Sequence, residues 1–379
     1  MTVERRSNPL SVVIAGGGTG GHLYPGIAVA RELQAERPDA QVWFAGTARG
    51  IESRVVPREG FELDTIRSGG LKGKSIAAIA RGAALVPLGL IDAWRIVSAR
   101  RPNVVIGVGG YSSGPVVLVA ALRGVPTMVL EQNAVPGLTN RLVAPFVKAA
   151  AVTFDSTRKF FGAKAFVSGN PVRPEFFTAD QGPVTRDQEQ STAYQGPDEV
   201  QVLIFGGSQG AHAINLAMVE AAAELAADSR LRVTHQTGER DVEMVRAAYR
   251  QAGLQADVEP FIFDMGPRLG QADLVVCRAG ATTLAEIAAA GKAAILIPLP
   301  TATDDHQRRN AEALVAVGAA EMLLQGDMTG SVLARRILAL AGDPAQRSRI
   351  AASARRLARP DAARAIVNRV LEMAKLQGC

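Results

Sequence analysis

Residues 12–22, VVIAGGGTGGH, and residues 202–212, VLIFGGSQGAH, align without a gap and share Val12/Val202, Ile14/Ile204, Gly16/Gly206, Gly17/Gly207, Gly20/Gly210 and His22/His212. Each is an apolar β-branched run, then a glycine turn, then the start of a helical stretch. That sequence of elements opens a doubly wound α/β unit. The echo implies two such units. Further short runs alternate with alanine-rich helical segments: QVWFAG, NVVIGVGG, VPTMVLEQN and AAAVTF in the first half, RVTHQTG, LVVCRAG and AAILIPLP in the second. Strands spaced by helices form parallel sheets covered on both faces, so the expected fold is α/β with two Rossmann-like doubly wound domains.

The chain has 379 residues, 47% hydrophobic and 21% charged, with a formal net charge of +6. This is length for two domains, each with its own core, and it excludes a wholly disordered protein. Polar, turn-rich residues 178–200 suit a loop near a domain junction, with the boundary near Pro171 to Pro174. Beyond Asp343 the chain is basic and helical, and Pro360 is expected to open a final amphipathic helix that returns to the first domain. The expected division is 1–170 with 360–379, and 171–359. Two cysteines, Cys277 and Cys379, supply neither a disulfide framework nor a structural zinc site, which suits a reducing compartment. The N-terminal MTVERRSNPL has no apolar signal-peptide segment. Residues 102–122 carry one charge-free stretch near spanning length, but the glycine-serine turn at its centre would leave backbone groups unsatisfied in lipid. Strand, loop and a helix from about Pro115 are expected there instead.

The first glycine turn fits G-x-G-x-x-G through Gly16, Gly18 and Gly21. A dinucleotide site also needs an acidic residue near the end of the second strand, and QVWFAGT ends in Gly46 and Thr47. Amide groups at such a turn attract anions all the same. SGGLKGKS at 68–75 is a near miss of a phosphate-binding loop, with Ser68 where glycine is needed, and reads as a mobile basic loop. Asp304, Asp305 and His306 are adjacent in sequence and cannot easily face one ion, so a site without metal or cofactor is expected. In LVVCRAGATTLAEIAAAG, residues 274–291, a strand and tight turn lead to a helix with Thr282 and Thr283 at its start. Amides and hydroxyls would converge there on phosphate, with Glu286 one turn in to accept bonds from sugar hydroxyls; ordinary helix capping explains the same letters.

These segments, taken with GGGTGGHLYP at 16–25, GVGGYSSGP at 107–115, EQNAVPGLTNR at 131–141, GNPVR at 169–173, GGSQGA at 206–211, PFIFDM at 260–265, CRAGATTLAE at 277–286 and DDHQRRNA at 304–311, resemble the MurG family of bacterial peptidoglycan glycosyltransferases. The resemblance runs in order over nearly the whole chain, departing at Lys292-Ala293, where many relatives place proline. It implies the GT-B architecture, two domains facing a cleft. It implies inverting transfer of N-acetylglucosamine from UDP-N-acetylglucosamine to undecaprenyl-pyrophosphoryl-N-acetylmuramyl-pentapeptide, giving lipid II. It further implies a membrane-associating acceptor domain first, a donor domain second, and other cell-wall synthesis proteins as partners. Donor contacts carried over are Thr19, Gly20, Gly21, Asn133, Arg173, Ser208, Ile262, Ala281, Thr282, Thr283, Leu284, Ala285, Glu286 and Gln307.

Inverting chemistry needs a base for the acceptor hydroxyl and fixed donors for the departing diphosphate. His22, just past the glycine turn, is the first candidate base because an ordinary imidazole titrates near neutrality; Glu131 is the second. From Arg67 to Arg101 the chain carries Arg67, Lys72, Lys74, Arg81, Arg95, Arg100 and Arg101 against Asp92 alone, interleaved with Leu71, Ile76, Ile79, Leu85, Val86, Leu88, Leu90, Ile91 and Trp94. That pattern suits an anionic membrane surface, on the cytoplasmic face of the inner membrane in this reading, while a helix pair burying its apolar stripe is the plainer explanation. Nucleic acid is not an expected partner, because the patch lacks interleaved aromatics and no recognition motif is present. A nucleotide-sugar 2-epimerase and a non-catalytic UDP-sugar-binding module are the competing readings.

Overall fold

The computed structural model describes residues 9–69, 76–177, 199–207 and 210–375, and for 76–84 the backbone only. The chain divides into two compact units, Met1–Val172 with Arg359–Cys379, and Arg173–Ala358. The crossings fall two residues later and one residue earlier than the sequence suggested.

The first unit is a seven-stranded sheet of β1 (Ser11–Gly16), β2 (Gln41–Gly46), β3 (Glu62–Thr65), β4 (Val104–Gly109), β5 (Thr127–Glu131), β6 (Ala149–Val152) and β7 (Ala165–Val167), ordered β3-β2-β1-β4-β5-β6-β7. Every pairing is parallel. Strand alternation splits β1 between two cores. Val12 and Ile14 pack with Leu23 and Ile27 of the helix Gly20–Glu36 and with Ile366, Val367 and Val370 of the last helix, Ala362–Lys375. Val13 and Ala15 pack on the other face with Val116 and Val117. The second unit is a parallel six-stranded sheet of β8 (Val200–Phe205), β9 (Leu231–Gln236), β10 (Ala256–Glu259), β11 (Leu274–Cys277), β12 (Ala293–Leu296) and β13 (Glu321–Met322), ordered β10-β9-β8-β11-β12-β13. Val202 and Ile204 pack with Ile214, Met218, Leu333 and Ile337.

In each sheet the order reverses beside the first strand of the unit, between β1 and β4 and between β8 and β11. Open α/β sheets bind ligands outside the carboxyl ends of the strands at such a switch point. The turns after β1 and β4, and after β8 and β11, are the four glycine-bearing segments quoted above. Some helix starts differ from expectation. The first begins at Gly20, inside the glycine turn, and takes Pro25 in its second turn, where the missing N–H removes the bond to the carbonyl four residues back. The helix after β4 begins at Ser113 and the last one at Ala362, each two residues from the expected proline. Among the described residues no helix is long and apolar enough to cross a membrane.

Candidate active site

In the first unit, Gly16, Gly17 and Gly18 take φ of 150°, 150° and 85°, a path that L side chains rarely follow. The space is also closed: a Cβ on Gly110 would lie 2.4 Å from the Gly17 carbonyl oxygen, so the turns after β1 and β4 touch backbone to backbone. Thr19 is the exposed N-cap of the helix Gly20–Glu36, and its Oγ1 lies 3.2 Å from His22 Nδ1. The half-buried His22 ring rests over Gly109, where a Cβ would come within 2.7 Å of it. Gly20 and Gly21 complete the first turn of that helix. Thr19 to His22 therefore form one local group at the switch point.

The amides of this turn do not all await a ligand. Gly18 N–H donates to Glu52 Oε2 at 2.8 Å, and Thr47 donates to Glu52 Oε1 through its N–H at 2.8 Å and its hydroxyl at 2.7 Å. Glu52 is wholly buried. Burial pushes its carboxyl up, but the bonds from Gly18 and Thr47 outweigh this and hold it below the ordinary glutamate value. An acid thus does lie near the end of β2, six residues past Gly46, with its oxygens taken up by Gly18 and Thr47. Sequence spacing could not show this, because the residue returns from the next helix.

Glu131, the second candidate base, is 2% exposed and receives bonds from Asn133 N–H (3.0 Å) and Nδ2 (3.2 Å), Gly137 N–H (2.9 Å) and Asn140 Nδ2 (2.9 Å). Burial pushes its carboxyl up despite these bonds. With its oxygens spent on four donors it is built to shape the 131–140 loop, including Asn133. β4 lies between β1 and β5, so the strands that lead to His22 and Glu131 stand about 10 Å apart.

The second unit holds most of the residues expected to contact the donor. Gln236, at the end of β9, donates from Nε2 to the Gly207 carbonyl at 2.7 Å and accepts at Oε1 from Ile262 N–H at 2.9 Å. One buried amide thereby ties the turn after β8 to the buried Ile262, and sequence inspection had missed it. Ser208 lies outside the described residues. His212, the counterpart of His22, is paired with Asp241 at 2.8 Å and not with a threonine. The helix Ala281–Ala290 starts from Gly280, which has no side chain to cap it. Ala281 and Leu284 are buried, while Thr282, Thr283 and Ala285 are half-buried. Glu286 lies 3.9 Å from Arg173, and Arg173 also pairs with Glu175 at 2.9 Å. Gln307 Oε1 accepts from Leu299 N–H at 3.0 Å, after a turn in which Asp304 and Asp305 take φ of 55° and 54°. His306 Nδ1 is 2.6 Å from the Thr303 carbonyl. Among the described residues no group of three His, Cys, Asp or Glu side chains is placed to hold a metal ion. Lys292 donates to the Gly270 carbonyl at 2.7 Å, and β12 begins at Ala293 without a proline.

The basic segment is partly spent on internal pairing. Arg67 grips Asp92 with both arms (2.7 and 2.6 Å), and Arg100 grips Asp64 while stacking 3.6 Å over Trp43. In the helix Ile76–Arg100, Gly89, Ala93, Ile96 and Val97 face the core, while Val86, Leu88, Ile91 and Trp94 are exposed at 41%, 37%, 46% and 57%. Lys72, Lys74 and Leu71, and the side chains of Ile76, Ile79 and Arg81, lie outside the described residues.

Two parallel doubly wound units, each with glycine turns at its switch point, define a GT-B glycosyltransferase architecture. Residues 12–152 match the glycosyltransferase family 28 N-terminal domain and residues 201–366 its C-terminal domain. A UDP-N-acetylglucosamine–N-acetylmuramyl-(pentapeptide) pyrophosphoryl-undecaprenol N-acetylglucosamine transferase of Pelobacter propionicus is 50% identical over 375 residues, 96% of this chain and 99% of the relative. One from Geobacter sulfurreducens is 45% identical over 96% of this chain and 98% of its own. The crystal structure of Acinetobacter baumannii MurG superposes with a TM-score of 0.75 at 32% identity, covering 96% of this chain and all (100%) of that one. The chain belongs to glycosyltransferase family 28, in the MurG branch. A Neisseria meningitidis UDP-GlcNAc 2-epimerase shares the fold alone, at TM-score 0.65 and 12% identity over 96% of this chain and 100% of its own.

Proposed function

We propose that this chain transfers N-acetylglucosamine from UDP-N-acetylglucosamine to the muramyl sugar of an undecaprenyl-pyrophosphate-linked pentapeptide, with inversion, forming lipid II on the cytoplasmic face of the inner membrane. The second unit takes the donor. The glycine turn before the helix His212–Ala226 and the uncapped start of the helix Ala281–Ala290 aim amide groups and positive helix ends at one carboxyl edge of the sheet, where the departing diphosphate develops charge. Ile262, held by Gln236, Gln307, and Arg173 with Glu286 supply the base and sugar contacts of the donor. The first unit takes the acceptor. His22, steadied by Thr19, receives the proton of the attacking hydroxyl, and Glu131 keeps Asn133 and its loop in place. The exposed apolar row from Val86 to Trp94, with Arg95 beside it, rests on anionic lipid.

The observation that carries this reading is the pairing of the two second-unit turns at the β8/β11 switch point with Arg173 and Glu286 beside them. Labelled UDP-N-acetylglucosamine and a short-chain analogue of the lipid acceptor test it. Sugar transfer to the acceptor is the expected result. Epimerisation at C2, or binding with neither reaction, overturns it.

A further inference from the structure

The three glycines Gly16–Gly18 have no side chains with which to fix their own path, and the backbone tie from Gly17 N–H to the Gly109 carbonyl is long, 3.4 Å. The firm hold is the bond from Gly18 N–H to the Glu52 carboxylate at 2.8 Å, a charge-assisted contact to a buried acid. The socket for that carboxylate is made by glycines from three places in the chain. A Cβ on Gly17, Gly46 or Gly50 would come within 2.4, 2.6 or 2.1 Å of the Glu52 side chain, so a larger residue at any of them would have to displace that carboxylate. Among the described residues no lysine or arginine pairs with Glu52, so its charge is balanced by the two Thr47 donors, Gly18 and its own backbone N–H. A buried anion held this way is costly, and it holds a backbone atom adjacent to Thr19.

We propose that Glu52 is a positioning residue for the transfer: its carboxylate sets the Gly16–Gly18 turn, and through Gly18 it sets Thr19 and the ring of His22. The route is short. Gly18 precedes the N-cap Thr19, whose hydroxyl is bonded to His22 Nδ1. A base displaced by about 1 Å loses on the order of a hundredfold in rate, so slack in this turn is felt more in turnover than in donor affinity, most of whose expected contacts, Thr19 to Gly21 and Asn133 apart, lie in the other unit. The inference rests on the reading of the first unit as the acceptor half.

Glu52→Gln keeps shape and removes charge, and Glu52→Asp keeps charge but falls one methylene short. Both are expected to lower kcat tenfold or more with KM for UDP-N-acetylglucosamine within twofold, and Glu52→Gln is expected to melt within a few degrees of wild type. In a His22→Ala background the same substitution is expected to cost less than twofold. Two readouts do not depend on transfer. Deuterium exchange in the peptide spanning 12–23 should quicken about tenfold in Glu52→Gln, and the His22 ring resonance should move while those of His212, His235 and His306 stay. Wild-type exchange and an unmoved His22 resonance in Glu52→Gln overturn the proposal, as does a kcat loss undiminished in the His22→Ala background. If the wild-type chain fails to transfer sugar, the functional reading falls, and the exchange and resonance measurements still decide whether Glu52 holds the turn.

Discussion

The Arg173 guanidinium lies 3.9 Å from the Glu286 carboxylate, too far to offset the burial around that acid. Burial pushes the Glu286 pKa from 4.5 to about 7, with Arg173 lowering it and Glu175 raising it. The sign follows from proton linkage. Between pH 4.5 and 7 the folded chain keeps a proton that the unfolded chain has lost, so this group's contribution to stability is full below 4.5 and is lost as pH rises through 7. Above that window the loss is about 3 kcal/mol. Glu286→Gln, neutral throughout, should match wild type near pH 4.5 and melt higher at pH 8, by on the order of 5 °C. Thermal melts at the two pH values check this. A gap of equal size at both removes Glu286 as the titrating group.

His22→Ala should cut turnover on the order of a hundredfold with KM for the donor changed little, because the ring belongs to the first unit's switch point, where its contacts include Thr19 and Gly109. Steady-state kinetics with both substrates varied is the measurement. Thr19→Val, which removes the hydroxyl 3.2 Å from Nδ1, should reproduce part of the loss. Near-normal turnover in His22→Ala takes the imidazole out of the mechanism and returns attention to the loop shaped by Glu131.

Nine strands could be read from their letters, and the four that could not are the four sheet edges, β3, β7, β10 and β13. A central parallel strand is buried on both faces and reads as an apolar run. An edge strand is short and half-wet, so ELDT and ADVE look like loop. The site divides in the same way. Turn residues such as Thr19 and Thr283 sit in motifs, because backbone approach requires glycine at fixed spacing. Glu52 and Gln236 act across the sheet from another element, and no local pattern marks a side chain that folds back on a neighbouring turn. The basic run was legible as charge, but its pairing was not: Arg67 and Arg100 find Asp92 and Asp64 only once helix and strand are side by side.

Gln236 offers a test of the donor half alone. Its amide is 2% exposed and makes one bond to each of two segments, so Gln236→Ala leaves the Gly207 carbonyl and the Ile262 N–H without that partner. The cost to stability should be about 2 kcal/mol. KM for UDP-N-acetylglucosamine should rise about tenfold, with KM for the acceptor unchanged. Isothermal titration with UDP checks the first part without turnover. An unaltered UDP affinity shows that the Gly207 and Ile262 segments hold the nucleotide without the tie.

The outer face of the helix Ile76–Arg100 makes the membrane reading testable, because its apolar side chains are exposed while its inner face already has a core. Ile91 and Trp94, one turn apart, are the two most exposed of the row. Sinking such side chains into a lipid interface contributes about 1.5–3 kcal/mol each, and a nearby basic residue such as Arg95 adds about 1 kcal/mol on an anionic surface. Ile91→Glu with Trp94→Glu removes the apolar gain and adds two charges that anionic lipid repels. Co-sedimentation with vesicles containing phosphatidylglycerol should fall at least tenfold, and wild-type binding should weaken as salt is raised. Transfer to a water-soluble short-chain acceptor should stay within twofold of wild type, while transfer to an acceptor embedded in vesicles should drop with the binding. Vesicle binding that survives the double substitution places the lipid contact elsewhere.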